Sequence, residues 1–231
     1  MEPLTAGVVI ALLAVLAAEF VNGWTDAPNA IATVVSTGVI TPRAAIAMAI
    51  VLNTLGAMSG TAVAATVGMG IVSPSALTIP AITATMIAII AWGSLAANLG
   101  IPVSKSHALL AGLAGAGFAG GGFEALQWSG WLKVGIGMLC SLGLGFVVAF
   151  ILGRFIIRVS AGASPHAAKH TYDYLQMASA GFLAFNHGLN DGQKFIGVFA
   201  LTLLAGGVTS EFVIPWCEMM RSCRIPVALF R

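Results

Sequence analysis

The chain has 231 residues, of which 58% are hydrophobic and only 8% charged, far below the roughly 25% charged composition of a soluble domain. That balance excludes an ordinary soluble globular protein. A formal charge of +2 with scattered basic residues also argues against a nucleic-acid partner.

Several windows of about 20 apolar residues are each long enough to cross a hydrocarbon core of about 30 Å as helices, and the period-2 alternation of a membrane barrel is missing. The fold class expected is therefore all-α, a polytopic membrane bundle of six or seven spans. The N-terminal apolar run follows Glu2 rather than a basic segment, so it reads as the first span and not as a secretory signal. Three cysteines, Cys140, Cys217 and Cys223, form no even framework, and Cys140 lies in an apolar run where packing is its expected role.

Span 1 covers Leu4 to Ile40 and contains a polar island, Asn22-Gly23-Trp24-Thr25-Asp26-Ala27-Pro28-Asn29. Glu19, Asn22, Asp26, Asn29, Thr33 and Ser36 step by three or four, which places them on one helix face turned toward protein or ligand. A carboxylate at membrane depth costs roughly 2.5 to 3.5 kcal/mol, so Asp26 is a functional candidate by default. Pro28 lacks an N–H and predicts a kink or split of this helix. Span 2 covers Ala44 to Val67, with Gly56 and Gly60 spaced for close helix packing.

Span 3 covers Ile79 to Asn98 and leads to a second island, Pro102-Val103-Ser104-Lys105-Ser106-His107. Pro102 and Ser104 mark a helix start whose free N–H groups favour an anion, while His107 alone also fits a helix-cap role. The following Gly115 to Gly120 matches G-x-G-x-x-G, but no strand precedes it, and it reads as helix packing or a loop. Span 5 covers Trp131 to Ile157, and a polar connection carries Arg154, Arg158, His166, Lys169 and His170. If every intervening segment crosses, Arg43, Arg154, Arg158 and Lys169 share the cytoplasmic face.

Span 6 begins near Tyr172 and reaches a third island, Asn186-His187-Gly188-Leu189-Asn190-Asp191-Gly192-Gln193-Lys194. Five crossings separate it from the first, so Gly23-x-x-Asp26 and Gly188-x-x-Asp191 would be inverted copies, the pattern that points to a transporter's midplane site. Lys194 is within reach of Asp191, whereas Asp26 has no neighbouring cation in sequence and would need a proton or a metal cation. Asn29, Asn190 and Gln193 add hard oxygen donors suited to Na⁺. An oxyanion at Ser104 to His107 beside two carboxylates requires accompanying cations, which is coupling, and a symporter is expected. Glu19 serves either as a polar partner or in cation passage. A membrane enzyme ranks last, because no nucleophile-base set or H-E-x-x-H pattern is present.

These islands resemble a known family. Residues 22–30 resemble the N-G-x-N-D-x-x-N-A signature of the inorganic phosphate transporter (PiT) family, residues 187–194 its H-G-x-N-D-x-Q-K copy, and residues 102–107 its P-V-S-[ST]-[ST]-H segment. The resemblance, over about residues 5 to 215, implies an inverted-repeat symporter of inorganic phosphate with Na⁺ or H⁺ and no further cofactor. It would be multi-pass in the cell membrane, with candidate partners phosphate, the lipid bilayer and a second copy in a homodimer. It implies that Asp26, Asn29, Ser104, Ser106, Asn190 and Asp191 form the substrate and coupling-ion sites, with Gln193 beside them. Together with the donors read at the second island, the expected substrate contacts are Asp26, Asn29, Ser104, Lys105, Ser106, His107, Asn190 and Asp191, and the expected coupling-cation site is Asp26, Asn29, Asn190, Asp191 and Gln193. Thr25 and Lys105 depart from the family pattern.

The expected organisation is a first repeat with a broken first span over 1–153, a basic cytoplasmic loop over 154–171, a partial second repeat over 172–216, and an atypical tail over 217–231. A second P-V-S segment, which the family pattern has after its second N-D motif, is not reached, and the chain reads as C-terminally truncated or frameshifted. Two alternatives stay open beside the phosphate carrier: a related oxyanion permease, for sulfate, and a non-functional membrane fragment.

Overall fold

Helix ends expose N–H groups that apolar surroundings cannot satisfy, and in this chain short hydroxyl side chains meet that need at four helix starts. The computed structural model describes residues 4–214, so the expectations for residues 215–231 lie outside the described residues. Thr5 caps helix α1 (Ala6–Ser36), Thr41 caps α2 (Pro42–Met58) and Thr78 caps α4 (Ile79–Asn98), each accepting a first-turn N–H. Ser104 does the same for α5 (Lys105–Gly121), as the sequence predicts. The remaining described helices are α3 (Ala62–Met69), α6 (Trp128–Ser160), α7 (Pro165–His187), a π-helical turn Gly188–Gly192, α8 (Gln193–Ala205) and two short 3-10 turns, Pro74–Ala76 and Gly122–Ala125. One isolated bridge, Val72 to Leu126, is the single piece of β structure among the described residues.

Helix α1 is the central element, packed against α4, α7 and α8. Its two halves belong to separate apolar clusters: Val15 and Ala18 join residues of α3, α4, α5 and α8, while Ala30, Ile31 and Val34 join Ala45, Ala49, Ala180 and Ala184 of α2 and α7. The polar island lies along α1 between them. This explains why the predicted break at Pro28 is not there. The helix runs unbroken from Ala6 to Ser36, because the bond lost at Trp24 is one of many and each flank of the proline is held by its own packing. The third island likewise stays helical, its backbone accommodated by the π turn. Free carbonyls at broken ends are therefore not supplied by either island.

The bend falls elsewhere. Helices α2 and α3, read from sequence as one span, meet at 66°. Ser59 ends α2 by placing both its N–H (3.1 Å) and its hydroxyl (2.7 Å) on the Gly56 carbonyl, a local bond that competes with helix continuation. Gly56 is buried where α2 crosses α7 and the π turn, so the close approach expected from its spacing is realised. The G-x-G-x-x-G segment is helical within α5, with Gly117 against Val72 and Gly120 against Ala76.

Among the described residues four helices are long and apolar enough to cross a membrane, or five with the bent pair counted as one span, against the six or seven expected of the chain. The segment 154–171, read as a loop, is two helix ends joined through 161–164, since polar residues at an exposed helix end, such as the Lys169 to Asp173 pair at 2.7 Å, do not stop a helix. Helix α6 presents a nearly continuous exposed apolar surface, with Gly130 its one buried residue, as a lipid-facing span does. Cys140 is on it, exposed.

Candidate functional site

A lysine is almost never buried without a partner, and Lys105, 4% exposed at the start of α5, has one. Its Nζ stands 2.6 Å from Asp26 Oδ1 on α1. The next residue, Ser106, donates its hydroxyl to Asp191 Oδ1 at 3.3 Å, while Lys194 donates to both Ser106 and Asp191. The first turn of α5 thus ties together two acidic motifs separated by most of the chain. His107 N–H donates to Ser104 Oγ at 3.2 Å, which leaves the N–H groups of Lys105 and Ser106 without an intrahelical acceptor. Replacing Ser104 by alanine is expected to lower stability by about 1 kcal/mol, read as a fall in melting temperature of the purified protein; an unchanged melting temperature counts against the cap.

The predicted site residues divide over two cavities. Asp26, Asn29 and Lys105 line one of about 550 Å³, together with Thr25 and Asn98. Ser104, Ser106, His107, Asn190 and Lys194 line another of about 590 Å³, closed on one side by Val134 and Ser141 of α6. Among the described residues, neither of these cavities is lined by both carboxylates. The expectation that Asp26 has no fixed countercharge is corrected: helix packing brings Lys105 to it from 79 positions away. Lys194 pairs with Asp191 as expected. Asn190 is exposed and donates to the Asn186 carbonyl at 2.8 Å. Gln193 is buried and turned aside, its Oε1 accepting the Val63 N–H at 3.2 Å, so it caps α3, which has no side-chain cap of its own. No group of three His, Cys, Asp or Glu side chains suited to a metal ion occurs among the described residues.

One further residue was missed from the sequence. Asn53 of α2 receives or gives a hydrogen bond at 2.7 Å to His187 Nδ1, and both line a third cavity of about 640 Å³ with Glu19, Gly23 and Thr54. Asn53 sits in an otherwise apolar run, and that was the available signal. Glu19 accepts from Asn22 at 3.2 Å and makes no ion pair among the described residues. His187 Nε2 is buried without a hydrogen-bond partner, 3.6 Å from Asp191 Oδ2.

Membrane-length helices with paired charges and polar cavities at the meeting point of their polar islands define a polytopic membrane protein built around a buried charged site. The profile of the family described as "Phosphate transporter family" matches residues 22–165. The chain belongs to the phosphate transporter (PiT) family. It is 38% identical over 213 residues to a probable low-affinity inorganic phosphate transporter of Rhizobium meliloti, covering 91% of this chain and 64% of that one. It is 37% identical over 185 residues to a protein of the same description from Streptomyces halstedii, covering 79% of this chain and 86% of the relative. The chain thus spans a little under two thirds of the Rhizobium relative's length. A solved structure described as the sodium-dependent phosphate transporter superposes with a TM-score of 0.71 at 22% identity, covering 94% of this chain and 72% of that one, which shows a shared fold.

Proposed function

We propose that this chain carries inorganic phosphate across a membrane together with a cation, Na⁺ or H⁺, and that the oxyanion is received at the first turn of α5. The observation that carries this reading is the meeting at this turn of Ser106 and Lys194 with Asp191 and of the adjacent Lys105 with Asp26, beside the Ser104 hydroxyl and two free N–H groups. Amides at a helix start prefer negative charge, and lysine ammonium groups bind tetrahedral oxyanions as point charges. Ser104, Ser106, His107 and Lys194 are the proposed phosphate contacts, with Asp191 holding Lys194 in place. Asn29 and Asn190 line the two cavities and are proposed to border the path.

Because Asp26 and Asp191 each have a lysine, the two ion pairs bring no net charge. A phosphate of one or two negative charges then adds a burden at membrane depth that an accompanying cation relieves. Coupling in this form comes from the solute's own charge and from Glu19, not from two bare carboxylates. The descriptions of the relatives as phosphate transporters, and of the structural neighbour as sodium-dependent, support the substrate and the coupling ion. The inverted relation of the islands around Asp26 and Asp191 is proposed from the same motifs.

Radiolabelled phosphate uptake in a bacterial strain lacking its own phosphate carriers tests the proposal. Expression of the chain is expected to restore uptake, unlabelled phosphate to suppress it, and a tenfold excess of sulfate to leave it unchanged. Equal suppression by sulfate identifies a general oxyanion permease, and uptake at the empty-vector level with the protein present in the membrane counts against transport by this chain.

A further inference from the structure

We propose that Lys105 is the built-in counter-cation of Asp26, its ammonium holding the place at this carboxylate that a mobile coupling cation would otherwise take. The inference rests on the symport reading and specifies which acid does not carry the mobile ion.

The pair is a built site rather than a chance surface contact. Lys105 Nζ lies 2.6 Å from Asp26 Oδ1, and the side chains are 5% and 23% exposed. The aliphatic stem of the lysine runs past Gly93 of α4, where an added Cβ would meet its Cε at 3.6 Å, its Cγ at 3.7 Å and Val21 Cγ1 of α1 at 3.4 Å. The stem thus lies beside α4, and its ammonium ends at Asp26 of α1. At that distance in a partly dry site, a second monovalent cation on Asp26 would face the full repulsion of the ammonium. The Asp26 carboxylate is therefore already neutralised by a charge that cannot leave. Asp191 differs, since its lysine is three residues away on the same segment and is shared with Ser106, a candidate phosphate contact.

Sodium-dependent thermal stability of the purified full chain in lipid nanodiscs separates the two possibilities. Melting temperatures are compared in sodium chloride and in choline chloride of equal ionic strength, without phosphate. Whatever sodium shift the wild-type protein shows is expected to persist in Asp26→Asn. Lys105→Ser is expected to gain a sodium-induced rise of about 3 °C that is absent from the Asp26→Asn, Lys105→Ser double variant, and Lys105→Arg to behave as the wild type. Loss of the wild-type sodium shift in Asp26→Asn overturns the proposal, as does a well-folded Lys105→Ser protein with no added sodium response. If Lys105→Ser fails to fold in either salt, the comparison of wild type with Asp26→Asn decides alone. A parallel melt with added phosphate, expected to stabilise the wild type, reads the transport proposal independently of the sodium arms.

Discussion

Exchange of Asp191 for asparagine is expected to lower phosphate uptake by about 30-fold or more while the protein still reaches the membrane. Asp191 accepts from Lys194 and from Ser106, so its charge sets the position of two groups at the proposed oxyanion site, and it also stands near His187 of the neighbouring cavity. Removing one member of a hydrogen-bonded charge pair that is only 18% exposed on each side leaves the other uncompensated. Losses of roughly 2 to 5 kcal/mol are usual for such truncations, a factor of about 30 to several thousand in an equilibrium constant. Lys194→Met should do comparable damage from the other side. The double variant offers the sharper reading. Replacing both charges relieves the stranded one, so stability should recover relative to either single change, whereas uptake should not. Radiolabelled phosphate flux at the wild-type rate in Asp191→Asn, with matched membrane amounts, would remove Asp191 from the site.

Gly188→Leu should prevent α2 from docking on the turn after α7. A Cβ at Gly188 would lie 2.6 Å from the carbonyl carbon of Asn53 and 2.7 Å from its Cα, and these are backbone atoms of α2 that cannot swing away as a side chain can. The same crossing is tight from the other direction, since a Cβ at Gly56 would come within 2.8 Å of the Leu189 nitrogen. Overpacking of this kind costs about 1 to 3 kcal/mol for small additions and more for a leucine, and in lipid, close backbone approach is a main source of helix association. The crossing also carries the Asn53 to His187 contact at 2.7 Å, so the cavity beside Glu19 should open with it. The measurement is the melting temperature in detergent, with Gly135→Ala on α6 as the control, because nothing lies within 4 Å of that position. A fall in Gly188→Leu no larger than in the control would show that this crossing contributes little.

Much of the fold was legible because transfer free energy is written residue by residue. The apolar windows gave α1, α4 and α6 nearly as they stand, and the threonine and serine caps at Thr41 and Ser104 fell where side-chain chemistry requires them. The reading of Pro28 as a break failed for an instructive reason. A proline penalty of about 3 kcal/mol is a local quantity, whereas helix α1 is held on both flanks by residues distant in sequence. The true bend, between Met58 and Ala62, was hidden because Ser59 and Gly60 read as ordinary small residues of a packed span. Gln193 was grouped with the cation ligands by its neighbours in the motif, and its helical position instead turns it to the uncapped start of α3.

By itself the sequence determined which segments belong in a membrane and that Asp26, Ser104 to His107, and Asn190 to Lys194 had to be turned away from lipid. It did so because the cost of placing a charge in hydrocarbon depends on the residue and its depth alone. Only the tertiary structure decided that Asp26 is neutralised by Lys105, that Asn53 meets His187, and that Asp26 and Ser106 line separate cavities. Such pairings depend on placing helices to within an ångström or two, through packing summed over many distant residues, and no local pattern records that sum.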